Sequence, residues 1–154
     1  MSLEKYLEKI GLRLYFYFTK KKSFAKIKED KGDFKLKLTM LGTGNALVTK
    51  CYNTCFIIEN ENDYLMVDAG GGNTVLNQLE KAEINWKDVK HIFVTHKHID
   101  HLLGMIWMIR LICQNMAAGK YEGEAYIYGH QEVIEMLETI SQMLLQSKQT
   151  KFIH

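Results

Sequence analysis

Proline is absent from this 154-residue chain, cysteine occurs three times, and the formal net charge is only +2. No proline-rich linker therefore divides it. Three cysteines (Cys51, Cys55, Cys113) cannot all pair, and the start Met1-Ser2-Leu3-Glu4-Lys5 lacks the basic-then-apolar order of a secretory signal. A reducing, cytoplasmic setting is the expectation. The longest apolar stretch, Leu102 to Ile109, ends at Arg110, whereas a spanning helix needs roughly 17–25 apolar residues. No membrane crossing is expected. What is present, 47% apolar and 25% charged residues, is the mixture of a globular protein. A chain of about 150 residues buries ~70% of its unfolded surface, which suits one core.

The small net charge hides an asymmetry. Residues 1–40 carry 11 Lys+Arg against 5 Asp+Glu, and the remainder 9 against 13. Leu3, Tyr6, Leu7, Ile10 and Leu14 recur at helical spacing before Tyr15-Phe16-Tyr17-Phe18 and the lysines 20–22, 26 and 28. Residues 1–33 read as a helical arm. Basic residues beside aromatics suit RNA through phosphate contacts and stacking. An amphipathic arm packed on the body, with a solvated lysine face, explains the same pattern more simply.

From Phe34 the period becomes two, with Phe34, Leu36, Leu38 and Met40 alternating with Lys35, Lys37 and Thr39, the pattern of a half-buried strand. Thr54–Glu59 and Tyr64–Asp68, joined by a polar linker of hairpin length, predict an antiparallel pair. Asn73 or Thr74 caps a helix carrying Val75, Leu76 and Leu79, and the strand 91–95 follows. A helix over 102–116 is apolar nearly all round and needs cover on several sides. The strand Ala125–Tyr128 leads through Gly129-His130 into a last helix, and residues 147–154 read as a loosely specified tail. The alternation predicts an α/β fold in which helices lie on a sheet.

Four metal-ligand types fall within six residues: His96, His98, Asp100 and His101. Imidazole and carboxylate suit Zn²⁺ and related ions. In a helix His96 and His98 would point ~200° apart, two steps of ~100°. They share an ion only if the segment is a strand end turning into a helix near His101, where alternate residues project together. His96 and His98 then hold one ion, and Asp100 and His101 a second. Cys51 and Cys55 lack a second pair and read as plain thiols, and His91, His130 and His154 as structural or solvated. Gly42-Thr43-Gly44 lacks the third glycine of a dinucleotide loop and precedes no helix, but its turn can bring amides near an anion.

These residues resemble the metallo-β-lactamase superfamily, whose H-x-H-x-D-H signature stands here as His96, His98, Asp100 and His101 after an apolar strand. Val67-Asp68-Ala69-Gly70 resembles its aspartate motif, and Leu41-Gly42-Thr43-Gly44-Asn45 resembles the opening of the RNase Z-like branch. Over residues 34–146 the resemblance implies about the N-terminal half of an αββα four-layer fold, with a mixed sheet and flanking helices. It also implies two zinc ions and a hydroxide between the metals that attacks a phosphodiester, either RNA or a small molecule, while the donor types by themselves also suit manganese or iron. Asp100 then doubles as a catalytic group that orients or deprotonates water. Asp68 supports the histidine N–H groups, and Gly42, Thr43 and Gly44 form a substrate loop. The superfamily's further His, bridging Asp and last His have no counterparts in the 154 residues. The chain is then a fragment, a truncated product, or a protomer completed by another copy or chain.

Overall fold

The computed structural model describes residues 14–18 and 36–154. Six strands form one mixed sheet in the order β1-β6-β5-β4-β3-β2. They are β1 (Leu14–Phe18), β2 (Leu36–Gly42), β3 (Cys55–Asn60), β4 (Asp63–Val67), β5 (His91–Val94) and β6 (Ala125–Gly129). β3 runs antiparallel to both β2 and β4, as the hairpin pattern predicts. β4, β5, β6 and β1 are mutually parallel. The helices are α1 (Thr74–Lys81), α2 (Ile99–Ala117), α3 (Gln131–Leu144) and the short α4 (Ser147–Thr150). No helix among the described residues is long and apolar enough to cross a membrane.

Residues 14–18 depart from the expected helical arm. They form an edge strand registered from Leu14 opposite Ala125 to Phe18 opposite Gly129. An aromatic run of high strand propensity beside an open sheet edge outweighs the helical period that precedes it. The rest of the arm and the lysine run lie outside the described residues. The tail expected to be loose is instead a turn of helix followed by a buried Phe152, because one aromatic side chain seated in the core holds the segment down.

Alternation along the strands divides the sheet into two unlike faces. Cys55, Ile57, Met66, Ile92, Val94, Ala125 and Ile127 are buried and join one core with Val75, Leu79, Met105, Ile109, Ile112, Val133 and Leu137 of the helices. The opposite face has no covering layer among the described residues. There Leu36, Leu38 and Met40 of β2 are 65%, 61% and 47% exposed, and Phe93 of β5 is 38% exposed. Phe56, Ile58, Leu65, Tyr126 and Tyr128 are half-buried on the same side. The apolar stripe of β2, expected to be half-buried, therefore faces outward, and only Leu41, at the register shift between Met40 and Gly42, turns into the core. The nearly all-apolar α2, by contrast, is covered by the sheet and by α3 and α4, and exposes only Ile99 and the rim of Trp107 among its large apolar residues.

Candidate metal centre

In open α/β sheets the carboxyl ends of parallel strands carry the ligand-binding loops. Asp68 here follows β4, and Thr95 to His98 follow β5 into α2. Helix α2 begins at Ile99, slightly earlier than the sequence suggests, so Asp100 and His101 occupy its first turn. His96 and His98 stay in the extended link before it. His98 is the N-cap, with φ −65° and ψ 147°, yet its side chain makes no capping bond. Ser, Thr, Asp or Asn at that position would stabilise the helix by ~1 kcal/mol more than a residue without a cap bond.

The imidazole so released faces His96. His96 Nε2 lies 3.1 Å from His98 Nδ1, with the rings at 77°. His101 Nε2 lies 3.3 Å from Asp100 Oδ2, and the His96 and His101 ring centroids are 4.1 Å apart. The four side chains thus form two adjoining donor pairs. Two ligands at ~2.05 Å from a tetrahedral ion are about 3.3–3.4 Å apart, so both separations are close to the bite of a shared ion. The donor set fits zinc chemistry on two sides of each shell. Among the described residues no group of three or more His, Cys, Asp or Glu side chains is arranged around a single ion position.

Asp68 ties this cluster to the sheet. It is buried and adopts φ 56°, a left-handed conformation that costs roughly 1–2 kcal/mol in an L-residue but that Asp tolerates better than most. Its Oδ1 accepts the Thr95 amide at 2.8 Å, and its Oδ2 contacts the Thr95 hydroxyl and His101 Nδ1, each at 2.7 Å. Its own amide donates to the Phe93 carbonyl at 2.8 Å. A buried carboxylate with three donors offsets its desolvation and the backbone strain together.

Three further residues that the motif reading does not single out hold the loop 69–72 against this cluster. The Tyr52 hydroxyl lies 2.8 and 2.7 Å from the carbonyls of Ala69 and Gly72 and accepts the Gly72 amide at 3.2 Å. Burial pushes that phenol up to about 12. Asn53 Oδ1 accepts the Gly71 amide at 3.2 Å. Gly104 on α2 donates its amide to the Gly70 carbonyl at 2.8 Å, and a Cβ there would stand 1.7 Å from the Ala69 carbonyl oxygen. An isolated glycine inside an apolar helix was the available signal for this close approach. Tyr52 and Asn53 carry none, because their partners are backbone atoms 17 to 20 residues away.

The glycine loop is closed on itself. The Gly44 amide donates to the Tyr52 carbonyl at 2.8 Å, and the Gly44 carbonyl accepts from Thr54. That amide is thereby taken from any anion, while Thr43 remains exposed. All three cysteines are free, with Cys51 exposed and Cys55 and Cys113 buried. Burial, with the Asp68 charge adding to it, pushes Cys55 up to about 12, as burial alone does Cys113. Both are inert thiols. His91 stacks on Tyr126 and Tyr128 and bonds the Tyr128 hydroxyl at 2.9 Å. His130 caps α3 by accepting the Glu132 amide, and His154 is exposed at the end of the chain.

A family model described as anti-Pycsar protein Apyc1 matches residues 36–152, a span that includes the whole of this cluster. The chain belongs to the Apyc1 family. The chain is also similar in sequence to ribonucleases Z. It is 33% identical over 104 residues to a ribonuclease Z of Thermococcus sibiricus, covering 67% of this chain and 32% of that protein. A ribonuclease Z of Treponema denticola is 29% identical over 110 residues, covering 71% and 34%. The Apyc1-family chain thus spans about a third of the length of the curated relatives it matches. Its fold is the corresponding part of the metallo-β-lactamase fold. The short form of human tRNase Z superposes with a TM-score of 0.59 at 21% identity, over 76% of this chain and 42% of that one. The metallo-β-lactamase fold protein YhfI of Bacillus subtilis superposes with a TM-score of 0.56 at 23% identity, over 73% and 44%.

Proposed function

We propose that this chain contributes the first-motif half of a metal-dependent phosphodiesterase centre, with RNA or a smaller phosphodiester as substrate and zinc as the ion. The observation that carries the reading is the pair of donor couples, His96/His98 and Asp100/His101, each near the bite distance of one ion. When bound, a divalent ion lowers the pKa of water from 15.7 to about 7 and withdraws charge from a substrate oxygen. The side chains do the rest. His96 Nε2 and His98 Nδ1 would hold the first ion, and Asp100 Oδ2 and His101 Nε2 the second. Asp68 fixes the orientation of His101 from behind. The Asp100 carboxylate would also orient the attacking water or accept its proton. The free thiols accord with a reducing cytoplasm.

A second reading has its own support. Each pair offers two protein donors where catalytic zinc ordinarily has three, and one apolar face of the sheet has no cover among the described residues. On this reading residues 34–146 are a half-domain whose site and sheet face are completed by another segment, another chain or a second copy.

One set of measurements separates the two. Zinc per chain and hydrolysis of a bis-aryl phosphodiester and of a structured RNA are measured on the 154-residue protein, with His98→Ala as control and molar mass in solution recorded. Turnover that the substitution abolishes supports the centre as drawn. Bound zinc without turnover supports the half-domain. Inert protein that takes up no zinc overturns the centre as drawn.

A further inference from the structure

We infer that Thr95 is a positioning residue through which Asp68 sets the tautomer of His96, so that one carboxylate governs a histidine in each donor pair. The inference rests on the proposed metal centre for its purpose but not for its geometry. The Thr95 hydroxyl lies 2.7 Å from Asp68 Oδ2 and 2.9 Å from His96 Nδ1. A hydroxyl has one proton, and an ionised carboxylate only accepts. The Thr95 proton therefore goes to Asp68, and the contact with His96 is made by an Nδ1–H donating to Oγ1. That leaves the His96 lone pair on Nε2, the atom facing His98. His101 is set the same way without an intermediary, since its Nδ1–H donates to Asp68 Oδ2 and its lone pair falls on Nε2, beside Asp100.

The arrangement explains why a threonine directly follows β5. Its branched Cβ restricts the side-chain rotamer, which keeps the hydroxyl between its two partners, and its amide is held by the other Asp68 oxygen. Serine would keep the hydroxyl but not the rotamer restriction, and valine would keep the shape but not the hydroxyl. With the two Nε2 lone pairs fixed, only His98 has to exchange tautomer when a cation enters. Its Nδ1–H, which donates to His96 Nε2 in the metal-free protein, gives way to Nε2–H.

The test uses the full chain labelled with ¹⁵N-histidine at about pH 8, above the ordinary histidine pKa of ~6.5. Long-range ¹⁵N–¹H correlation reads the tautomers, and zinc affinity is read separately by competition with a chromophoric chelator. His96 and His101 are expected as Nδ1–H in the metal-free protein. Thr95→Val should shift His96 toward Nε2–H, leave His101 unchanged and weaken zinc binding about 10- to 100-fold, the usual effect of losing a hydrogen-bond partner behind a ligand. Thr95→Ser should restore the His96 signature and most of the affinity. His96 found as Nε2–H in the parent, or unmoved by Thr95→Val in a folded protein, overturns the inference. Expected tautomers in a chain that binds no zinc would instead leave the relay standing and remove the proposed function.

Discussion

The two faces of the sheet are built from the same kinds of residue and meet opposite fates. Ile57, Met66, Ile92 and Ile127 are fully buried under the helices, while Leu36, Leu38, Met40 and Phe93 face outward without cover among the described residues. Alternation along a strand says that its two sides differ, but when both sides are apolar it does not say which is covered. If residues 34–146 are the half-domain proposed above, one further layer would account both for the face left uncovered among the described residues and for pairs of only two donors. A second layer over the sheet is the natural cover for so wide an apolar surface, and sheets pack face to face at about 10 Å.

The largest expected effect sets the faces directly against each other. Ile127→Ala opens a cavity in the covered core and should cost about 2–5 kcal/mol in denaturant unfolding, whereas Leu38→Ala on the bare face should change stability by less than about 0.5 kcal/mol. Equal losses would mean that the bare face is covered in solution, and the comparison would fail.

Gly104→Ala tests how tightly the covered side grips the metal loops. The new Cβ meets a backbone carbonyl rather than a flexible side chain, so a loss of about 1–3 kcal/mol is expected, with weakened zinc uptake as α2 is pushed off residues 69–70. Unchanged stability and zinc uptake would show that this approach is loose.

Alkaline pH sharpens the contrast next, because Cys55 and Cys113 lie on the covered side and Tyr52 is fastened beneath the loop. Burial raises the thiols from 9.0 to about 12 and the phenol from 10.0 to about 12. Their neutral forms are favoured by folding, and the unfolded chain ionises first. Above about pH 9 the unfolded state therefore binds fewer protons, and stability should fall progressively toward pH 12. Cys113→Ala should flatten part of that fall, as followed by urea midpoint against pH. A midpoint unchanged between pH 8 and 11 would show that these groups are hydrated.

The smallest effect belongs to the rim. Lys97, between the two metal-loop histidines, pairs with Glu132 at the start of α3, and this ion pair holds the Glu132 carboxyl below its ordinary range. Both side chains are largely exposed, so Glu132→Gln should leave the unfolding midpoint within error, and any shift should vanish in high salt. A large, salt-resistant loss would make this pair a structural clamp between the metal loop and α3.

Much of the fold was legible because local patterns and tertiary packing agree in β3, β4, β5, α1, α2 and α3. The misreadings share a cause. The arm at residues 14–18 takes its strand form from a partner more than 100 residues away, and Phe152 is seated by a core that no local pattern announces. The cover over α2 likewise comes from α3 and α4, which follow it in the chain. At the candidate site, the spacing of His96, His98, Asp100 and His101 carried its own geometry, since only a strand end turning into a helix lets those side chains meet. Thr95, Tyr52, Asn53 and Gly104 were invisible as a group because their contacts run to Asp68 and to backbone atoms of the following loop.

By itself the sequence determined the periods of its strands and helices, the types of donor available and their order, because these depend on neighbours within a few residues. The tertiary structure alone decided which sheet face is covered, which imidazole nitrogens face one another, and that a single buried carboxylate stands behind two of them. Such matters depend on where distant segments meet, and sequence spacing does not encode that distance.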